Sequence, residues 1–332
     1  MTTSTLTPRP QPTAQANARP VDQTLAKHVA QGLGQAQKSL SSALFYDDEG
    51  SRLFQQIMAL PEYYLTRVEH EILRTHGDAL ARWMAPERQA LSLIELGSGD
   101  GEKTLDLCQA LLRQQVPCVF HPMDLSELAL QALQQRFANA LPGLTVQPLC
   151  GDYFLNWPRT APGHRQAAMF MGSNLGNLTH VQAVGLLKRI HAQLRPGDVL
   201  LLGLDLMKDP HTILAAYDDP QGITAQFNLN LLKRLNLELG MDFNPARFRH
   251  YACYSPLDGA ARSFLVSQRA QRVRSQVLDR EFSFAEGETI YTEQSQKYSS
   301  EMVAQLAQDS GFSVNASFTD ARDWYTVVVM QA

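Results

Sequence analysis

Three glycines at alternate positions, Gly97, Gly99 and Gly101, follow an apolar run in the segment LSLIELGSGDGEKT. Glycine lets the backbone approach a ligand closely and adopts the positive φ angles of tight turns. The spacing differs from the G-x-G-x-x-G of dinucleotide folds, in which a later glycine opens the helix beside a pyrophosphate. The spacing therefore indicates that the loop contacts a ligand that has no phosphate groups.

Acidic residues end the predicted strands around this loop. Glu95 directly precedes the glycines, Asp124 follows the next apolar run in HPMDLS, and Asp152 with Tyr153 follows the third in CGDYF. Strand ends of this kind share the edge at which parallel sheets bind ligands. The acid-x-G-x-G-x-G form resembles the first motif of the S-adenosylmethionine-dependent methyltransferases with a Rossmann-like core. The resemblance implies that Asp124 holds ribose hydroxyls and that Asp152 faces the adenine amino group.

A fourth strand end, in AAMFMGSNLGNL, carries an amide. Asn177 is expected at the rim that faces the reactive end of a cofactor, where its amide can donate to or accept from a nucleophilic nitrogen. Methyl transfer from a sulfonium requires accurate placement of the acceptor more than a strong base. Gly172 and Gly176 are expected to let the backbone come close to the transferred methyl group.

Strands and helices alternate through most of the chain, which predicts a parallel sheet with right-handed crossovers. Two S/T-x-x-E/Q patterns, Thr66 with Glu69 and Thr179 with Gln182, predict capping boxes at helix starts. The alternation stops after Asp209-Pro210, where a helix and a β-rich stretch follow, and it returns in a final helix and hairpin. The sequence therefore predicts an α/β fold: a Rossmann-like class I methyltransferase sheet with a second, discontinuous substrate-binding domain. The predicted boundaries are a disordered tail over 1–20, a substrate-binding domain over 21–67 and 208–297, and an S-adenosylmethionine-binding domain over 68–207 and 298–332.

Charge and composition exclude several classes of protein. The 332 residues include 29 basic and 33 acidic side chains, with a net charge of −4. This composition lacks the excess of basic residues that is typical of nucleic-acid binders. No apolar run approaches the length of about 18 residues that spans a membrane. Four cysteines without a C-x-x-C pair favour reduced thiols and a cytoplasmic location, and nine histidines without metal-ligand spacing predict no metal site. We expect a cytoplasmic monomer that acts on a small molecule.

Longer motifs resemble one family within this class. FYDDEGSRLFQQIMALPEYYLTR, LIELGSGDGEKT, FMGSNLGNL, AAYDDPQGITAQFNLNLL and FAEGETIYTEQSQKY resemble, in order, motifs of the histidine-specific Nα-methyltransferases that open ergothioneine biosynthesis. The resemblance extends from about residue 40 to the C-terminus. It implies S-adenosylmethionine-dependent Nα-methylation of L-histidine to the trimethylated betaine, hercynine.

The resemblance also implies roles for residues that contact the amino acid. Tyr63 and Tyr217 match the two contacts to its carboxylate, and Asn177 matches the residue that orients the α-amino group. Glu293 and Ser295 match the pair that reads the imidazole. A buried Glu293 accepts from an imidazole N–H, and a substrate without that donor leaves the carboxylate unpaired and is disfavoured.

The remaining implied roles concern the ring and the cofactor. Tyr46 matches a tyrosine near the imidazole, and we assign Tyr46 and Asn177 to catalysis. The tyrosine beside Tyr63, Tyr64, is expected to pack internally. The residues that match contacts to S-adenosylmethionine are Gly97, Lys103, Asp124, Asp152 and Tyr153.

Departures from the family pattern leave alternatives open. Asp100-Gly101, Asn174 and Ser263 stand where other members often have different residues, and these positions affect the shape of the pocket. The alternatives are a related amino-acid N-methyltransferase that acts on another aromatic amino acid or adds fewer methyl groups, a dinucleotide-dependent oxidoreductase, and a non-catalytic cofactor-binding relative.

Overall fold

The computed structural model describes residues 23–332, and the predicted tail over 1–20 lies outside the described residues. In this part of the chain the helices are α1 (Gln23–Gly32), α2 (Asp48–Ala59), α3 (Leu65–Met84), α4 (Glu102–Arg113), α5 (Glu127–Ala140), α6 (His180–His191), α7 (Pro210–Ala215), α8 (Ile223–Leu239) and α9 (Ser300–Ser310). The strands are β1 (Lys38–Ser39), β2 (Leu91–Leu96), β3 (Cys118–Asp124), β4 (Thr145–Val146), β5 (Leu149–Cys150), β6 (Arg165–Phe170), β7 (Val199–Asp205), β8 (Phe248–Ser255), β9 (Ala260–Ser267), β10 (Gln271–Ser275), β11 (Arg280–Phe284), β12 (Thr289–Gln296), β13 (Ser313–Thr319) and β14 (Tyr325–Gln331).

The larger sheet is parallel in its centre and antiparallel at one edge. Its strand order is β13-β14-β7-β6-β2-β3-β4, with β5 also paired to β3. Strands β7, β6, β2, β3, β4 and β5 run parallel, and the closing β13–β14 hairpin adds to β7 in antiparallel orientation. The single third strand predicted from LTVQPLCGDYF is two short segments, β4 and β5. The predicted Rossmann-like α/β sheet is confirmed.

Helices cover both faces of this sheet, which explains why its central strands are apolar throughout. Every residue of β2 and β7 is buried. Leu73 and Leu80 of α3 belong to the core on one face, while Leu187 of α6 and Leu306 of α9 belong to the core on the other. Full burial of each such side chain contributes about 1.5–3 kcal/mol to the free energy of unfolding. The packed sheet therefore gives a rigid edge on which the glycine loop and the strand-end acids are placed.

A second, smaller sheet forms from the segments before α3 and between β7 and α9. Its strand order is β1-β12-β9-β8, and β10 and β11 form a separate hairpin. Helices α1, α2 and α8 contribute to a third core, which includes Leu53, Ile57, Phe227 and Leu265. We propose that these segments are the substrate-binding domain, and the separate sheet and core support that division. The proposed boundary at 67/68 falls inside the first turn of α3.

The two predicted capping boxes have different outcomes. Thr179 and Gln182 form the predicted box at the start of α6. The box of Thr66 and Glu69 is wrong, because α3 begins one residue before Thr66 and no side chain caps it. Glu69 is instead fully buried. Its carboxylate accepts hydrogen bonds from distant parts of the chain, and a buried charge is stabilised only by such partners.

Candidate active site

A β-bulge in β12 sets the direction of the side chains that follow it. Tyr291 pairs with Phe264 of β9, whereas Glu293 pairs with the adjacent Ser263, so Thr292 is an extra residue. One extra residue reverses the alternation of side chains along a strand. Tyr291 and Phe264 contact each other with ring centroids 5.6 Å apart. After the bulge, Glu293 lines a pocket between the two sheets.

This pocket collects all six residues that the sequence assigned to the amino-acid substrate or to catalysis. They reach it from elements that are far apart in the chain: the turn before α2, the segment before α3, the loop after β6, the segment after α7, and β12. The lining residues are Tyr46, Phe54, Ile57, Tyr63, Leu65, Gly172, Ser173, Asn174, Asn177, Ala216, Tyr217, Thr224, Phe227, Glu293 and Ser295.

The paired tyrosines before α3 diverge. Tyr63 borders the pocket, where its ring lies edge-on to Phe54 with centroids 6.1 Å apart. Tyr64 is 2 % exposed, and its hydroxyl donates to Asp205 Oδ2 over 2.8 Å. Burial raises the pKa of the Tyr63 hydroxyl well above its ordinary value, with nearby Tyr217 adding to the shift, so this phenol is a neutral donor. The internal packing predicted for Tyr64 is confirmed.

Aromatic rings form one wall of the pocket. Tyr46 packs edge-on against Phe54 at 5.6 Å and against Phe227 at 6.0 Å, and Phe54 lies 5.9 Å from Phe227. Tyr46 is 47 % exposed, so its ring stands between this wall and solvent. Ring faces of this kind attract quaternary ammonium groups.

Asn177 is placed by a close approach of two backbones. It ends a 3₁₀ turn, Asn174–Asn177, after β6. A Cβ atom on Gly176 would lie 2.9 Å from the carbonyl oxygen of Gln296, so only glycine lets this turn meet β12. The Gln294 side chain also donates to the carbonyl of Leu178 over 2.7 Å. The absence of a side chain at Gly176 is therefore explained by its contact with β12, a reason that the sequence did not indicate.

Tyr217 and Ser295 form a hydrogen-bonded pair in the pocket wall. The Tyr217 hydroxyl oxygen and Ser295 Oγ lie 2.8 Å apart, at hydrogen-bonding distance, and both side chains are buried. His250 of β8 holds the backbone of this segment, with its Nε2 3.0 Å from the carbonyl oxygen of Tyr217. Burial, with Asp205 nearby, raises the pKa of the Tyr217 hydroxyl well above its ordinary value. The pair therefore presents neutral hydroxyl groups.

Glu293 is an acid whose charge is disfavoured by its surroundings. Burial raises the pKa of this carboxyl from 4.5 to about 7, although Lys297 partly opposes the shift. A buried carboxylate of this kind gains most from a ligand that donates a hydrogen bond to it. Glu293 can therefore discriminate between side chains by their donors.

The glycine loop after β2 has the conformation that its spacing predicts. Gly97, Gly99 and Gly101 have φ angles of +73°, +53° and +71°. A Cβ on Gly97 would lie 3.1 Å from the Tyr153 hydroxyl, whereas a Cβ on Gly99 would meet open space. A Cβ on Gly101 would lie 2.8 Å from atoms of α5, so this glycine serves the packing of α4 on α5. Gly99 therefore borders open space at the edge of the sheet, which we call the groove, and Gly97 lies against Tyr153 beside it.

The strand-end acids are fixed beside that groove by backbone N–H groups. Asp124 Oδ2 accepts from Gly99 N over 2.9 Å, and its Oδ1 accepts from Ser126 N over 2.9 Å. Asp152 Oδ1 accepts from Phe154 N over 2.8 Å. Burial, with Asp124 and Asp152 nearby, raises the pKa of Tyr153 to about 12. The two acids and this phenol lie together, as the sequence predicted.

Lys103 lies where the groove meets the pocket. Its ammonium group pairs with the carboxylate of Glu69 and lies near Gly172. Glu69 Oε1 accepts from Gly172 N over 2.6 Å and also from the Tyr325 hydroxyl. The capping-box pattern assigned Glu69 to the start of α3, so sequence reasoning missed this set of contacts. The sequence feature that could have indicated this role of Glu69 is an acidic residue on the apolar face of α3, between Val68 and Ile72.

The groove fits the cofactor that the resemblance implies. Glu95 Oε1 accepts from the Thr104 hydroxyl over 2.6 Å, while its Oε2 is buried without a hydrogen-bond partner among residues 23–332. Burial raises the pKa of this carboxyl to about 8. The open space over Gly99, the orphaned oxygen of Glu95 and the carboxylate of Asp124 suit a ligand rich in hydrogen-bond donors, such as a nucleoside joined to an amino acid.

Other classes of site find no support in the described part of the chain. Residues 23–332 contain no cluster of three or more histidine, cysteine or acidic side chains that could hold a metal ion. No helix among them is long and apolar enough to cross a membrane. Cys108, Cys118, Cys150 and Cys253 are all free.

Comparisons with known proteins agree on one family. A family profile described as histidine-specific, S-adenosylmethionine-dependent methyltransferase matches residues 25–332. The histidine N-alpha-methyltransferase of Mycolicibacterium smegmatis is 38% identical over 287 residues, which cover 86% of this chain and 88% of that protein. The corresponding enzyme of Mycobacterium tuberculosis is 40% identical over 284 residues, 85% of this chain and 87% of the relative. Ergothioneine biosynthesis protein 1 of Schizosaccharomyces pombe is 28% identical over 299 residues, 87% of this chain and 38% of that protein. The matched region contains both sheets and every residue of the pocket and groove.

Proposed function

This chain belongs to the family of histidine-specific, S-adenosylmethionine-dependent methyltransferases, and from this premise we propose that it methylates the α-nitrogen of L-histidine to the trimethylated betaine. One observation carries the proposal. A single pocket beside the glycine-loop groove holds an amide, a pair of buried hydroxyls and a half-buried carboxylate, contributed by Asn177, Tyr217, Ser295 and Glu293. These groups match the amine, the carboxylate and the imidazole of the amino acid.

The proposed contacts at the amino-acid end follow from hydrogen-bonding capacity. Tyr63 and Tyr217 are neutral phenols, and both donate to the substrate carboxylate. The amide oxygen of Asn177 accepts from the α-amino group. This contact holds the nitrogen in place, so that its lone pair points along the groove.

The proposed contacts at the side chain select imidazole. Glu293 accepts from one ring nitrogen, and Ser295 borders the ring from the same strand. A side chain without an N–H donor leaves Glu293 buried and unpaired, which disfavours that substrate. Tyr46 closes the pocket over the ring, and the aromatic wall that contains it accommodates the quaternary ammonium of the product.

The cofactor is S-adenosylmethionine, the methyl donor of the family, which supplies an electrophilic methyl group on a sulfonium when it is bound. We propose that Asp124 accepts from its ribose hydroxyls and that Asp152 and Tyr153 border its adenine. Gly97 leaves room for it over the loop. Lys103, at the pocket end of the groove, donates to its carboxylate.

The deciding experiment incubates the purified protein with S-adenosylmethionine and an equimolar mixture of free amino acids, and follows products by mass spectrometry. We expect histidine alone to gain methyl groups, up to three. Methylation of another aromatic amino acid in preference to histidine would support the related N-methyltransferase instead. Cofactor binding without turnover of any amino acid would support a non-catalytic relative.

We also propose that the enzyme is a cytoplasmic monomer. The four cysteines form no disulfide bond with one another, as expected of a protein in a reducing compartment. Light scattering of the purified protein should give the mass of one chain, and a fluorescent fusion should distribute through the cytoplasm. A stable dimer in solution would contradict the first expectation.

A further inference from the structure

Lys297 is a fully buried lysine that follows β12, two residues after Ser295. Its ammonium nitrogen lies 2.7 Å from Asp205 Oδ2, 2.7 Å from the Tyr217 hydroxyl and 2.8 Å from Ser295 Oγ. An ammonium group has three N–H donors and no acceptor, so these contacts use all of its donors. Lys297 therefore acts on the pocket through the two hydroxyl groups that line it.

These contacts determine the direction in which the hydroxyls donate. The oxygens of Tyr217 and Ser295 each accept from Lys297, so the proton of each hydroxyl must be donated elsewhere. The two oxygens are 2.8 Å apart, so when the Tyr217 hydroxyl donates into the pocket, the Ser295 proton lies between the two oxygens. Because burial raises the pKa of Tyr217 well above its ordinary value, Lys297 leaves this phenol protonated. The pair thus presents one O–H donor, that of Tyr217, to an acceptor in the pocket.

The same lysine places positive charge behind these donors. Asp205 is fully buried, and it pairs with Lys208 over 2.6 Å as well as with Lys297. Two ammonium groups on one carboxylate leave positive charge beside Tyr217. Glu293 lines the same pocket, but burial disfavours its ionised form, so it opposes this charge only in part. An anionic group next to Tyr217 is therefore favoured.

We propose that Lys297 is a positioning residue for the carboxylate of the substrate. It holds the Tyr217 hydroxyl as a donor and supplies the positive charge that the phenol lacks. The same charge repels the α-ammonium form of the amino acid, and so directs the amine towards Asn177. This inference rests on the proposed function, in which Tyr217 binds the carboxylate of L-histidine.

The test compares two ligands that differ only at the carboxylate. Isothermal titration gives the affinities of L-histidine and L-histidinamide, in the presence of S-adenosylhomocysteine, for the wild-type protein and for Lys297→Met. The wild-type protein should prefer L-histidine by about 10- to 100-fold, the usual range for a charge-assisted hydrogen bond. Lys297→Met should lose most of that preference.

Lys208→Met is the matched control. It removes the other lysine on Asp205, whose side-chain contacts are with Tyr64, Asp205 and the carbonyl of Leu206. It removes one of the two positive charges but none of the contacts to Tyr217 and Ser295, so it should keep a larger part of the preference for L-histidine than Lys297→Met does. Equal weakening of both ligands by Lys297→Met, or the same loss of preference in Lys208→Met, would overturn the proposal.

If Lys297→Met does not fold, a second variant and measurements on the wild-type protein still test the proposal. Lys297→Gln retains a hydrogen-bond donor without the charge, and it should also lower the preference for L-histidine. A wild-type protein that binds L-histidine and L-histidinamide equally overturns the role of Lys297, whatever the variants do. A wild-type protein that binds neither ligand overturns the proposed function itself.

Discussion

The carboxylate of Glu69 and the backbone N–H of Gly172 are joined by a hydrogen bond of 2.6 Å. The second oxygen of Glu69 pairs with Lys103, which borders the cofactor groove, while Gly172 opens the loop that carries Asn177. One fully buried side chain therefore connects the groove to the pocket. This connection accounts for an acid on the core-facing side of α3.

Glu69→Ala should strongly destabilise the protein. It leaves the N–H of Gly172 and the hydroxyl of Tyr325 without their acceptor and Lys103 without its partner. The expected loss in the free energy of unfolding is about 3–5 kcal/mol, measured by chemical denaturation. Glu71→Ala, two residues along the same helix, is the control and should change the stability by only about 0.5 kcal/mol. Similar losses in both variants would show that Glu69 has no special role.

Gly176→Ala tests the contact that places Asn177. A Cβ at this position would lie 2.9 Å from the carbonyl oxygen of Gln296, so the turn must move away from β12. Because a shift of about 1 Å in a catalytic group can lower a rate about 100-fold, we expect kcat to fall by about that factor. Gly185→Ala in α6 is the control: a Cβ there meets nothing within 4 Å, and alanine should stabilise the helix by about 0.5–1 kcal/mol. Unchanged turnover in Gly176→Ala would contradict the proposed placement.

Local patterns in the sequence predicted the edge of the large sheet. The alternation of strands and helices, the glycine loop and the acids at successive strand ends are short-range features, and parallel pairing brings them to one edge. The helix that the sequence predicts before the β-rich stretch is α8. Each of these predictions depends on residues close together in the chain, which is why they could be made from sequence.

The features that sequence could not predict depend on distant contacts. The bulge at Thr292 turns Glu293 to the pocket side of β12, and no local pattern shows on which side of such an extra residue a strand resumes. Glu69 fits a capping box by spacing, but its partners are about 30 to 260 residues away. Lys297 follows Glu293 and Ser295 at alternate positions in TEQSQK, and this spacing could have indicated that Lys297 acts with them. Because a lysine is rarely buried, such spacing alone does not suggest that Lys297 lies inside the protein.

Asp124→Asn should weaken binding of the cofactor. The carboxylate accepts from Gly99 N, and an amide with its nitrogen at that position would disturb the loop as well as the proposed ribose contact. We expect the Kd of S-adenosylhomocysteine to rise about 10- to 100-fold by isothermal titration. Asp100→Asn removes an exposed acid from the same loop, one that pairs with Arg136, and should leave the Kd nearly unchanged. Equal effects of the two substitutions would argue against the special position of Asp124.

Glu293 and Asn177 should affect turnover in different ways. Glu293→Gln should relax discrimination, so that kcat/KM for L-histidine falls by about 10- to 100-fold while that for a non-imidazole aromatic amino acid changes little. Asn177→Ala should lower kcat for every substrate, because the amide holds the nitrogen that all of them share. Mass detection of methylated products from a panel of amino acids measures both effects. Identical patterns in the two variants would refute this division of roles.

The half-buried carboxyl of Glu293 should also make the ligand-free protein less stable at alkaline pH. Burial raises its pKa from 4.5 to about 7, so between these values the unfolded chain releases a proton that the folded protein retains. Stability therefore falls as the pH rises through this window, and the full loss, on the order of 1–3 kcal/mol, is present above it. Glu293→Gln removes the loss and should raise Tm more at about pH 8 than at about pH 5. Glu286→Gln, at an exposed position, should shift Tm little at either pH. A gain from Glu293→Gln that is the same at both values would mean that Glu293 ionises in the folded protein as readily as in the unfolded chain.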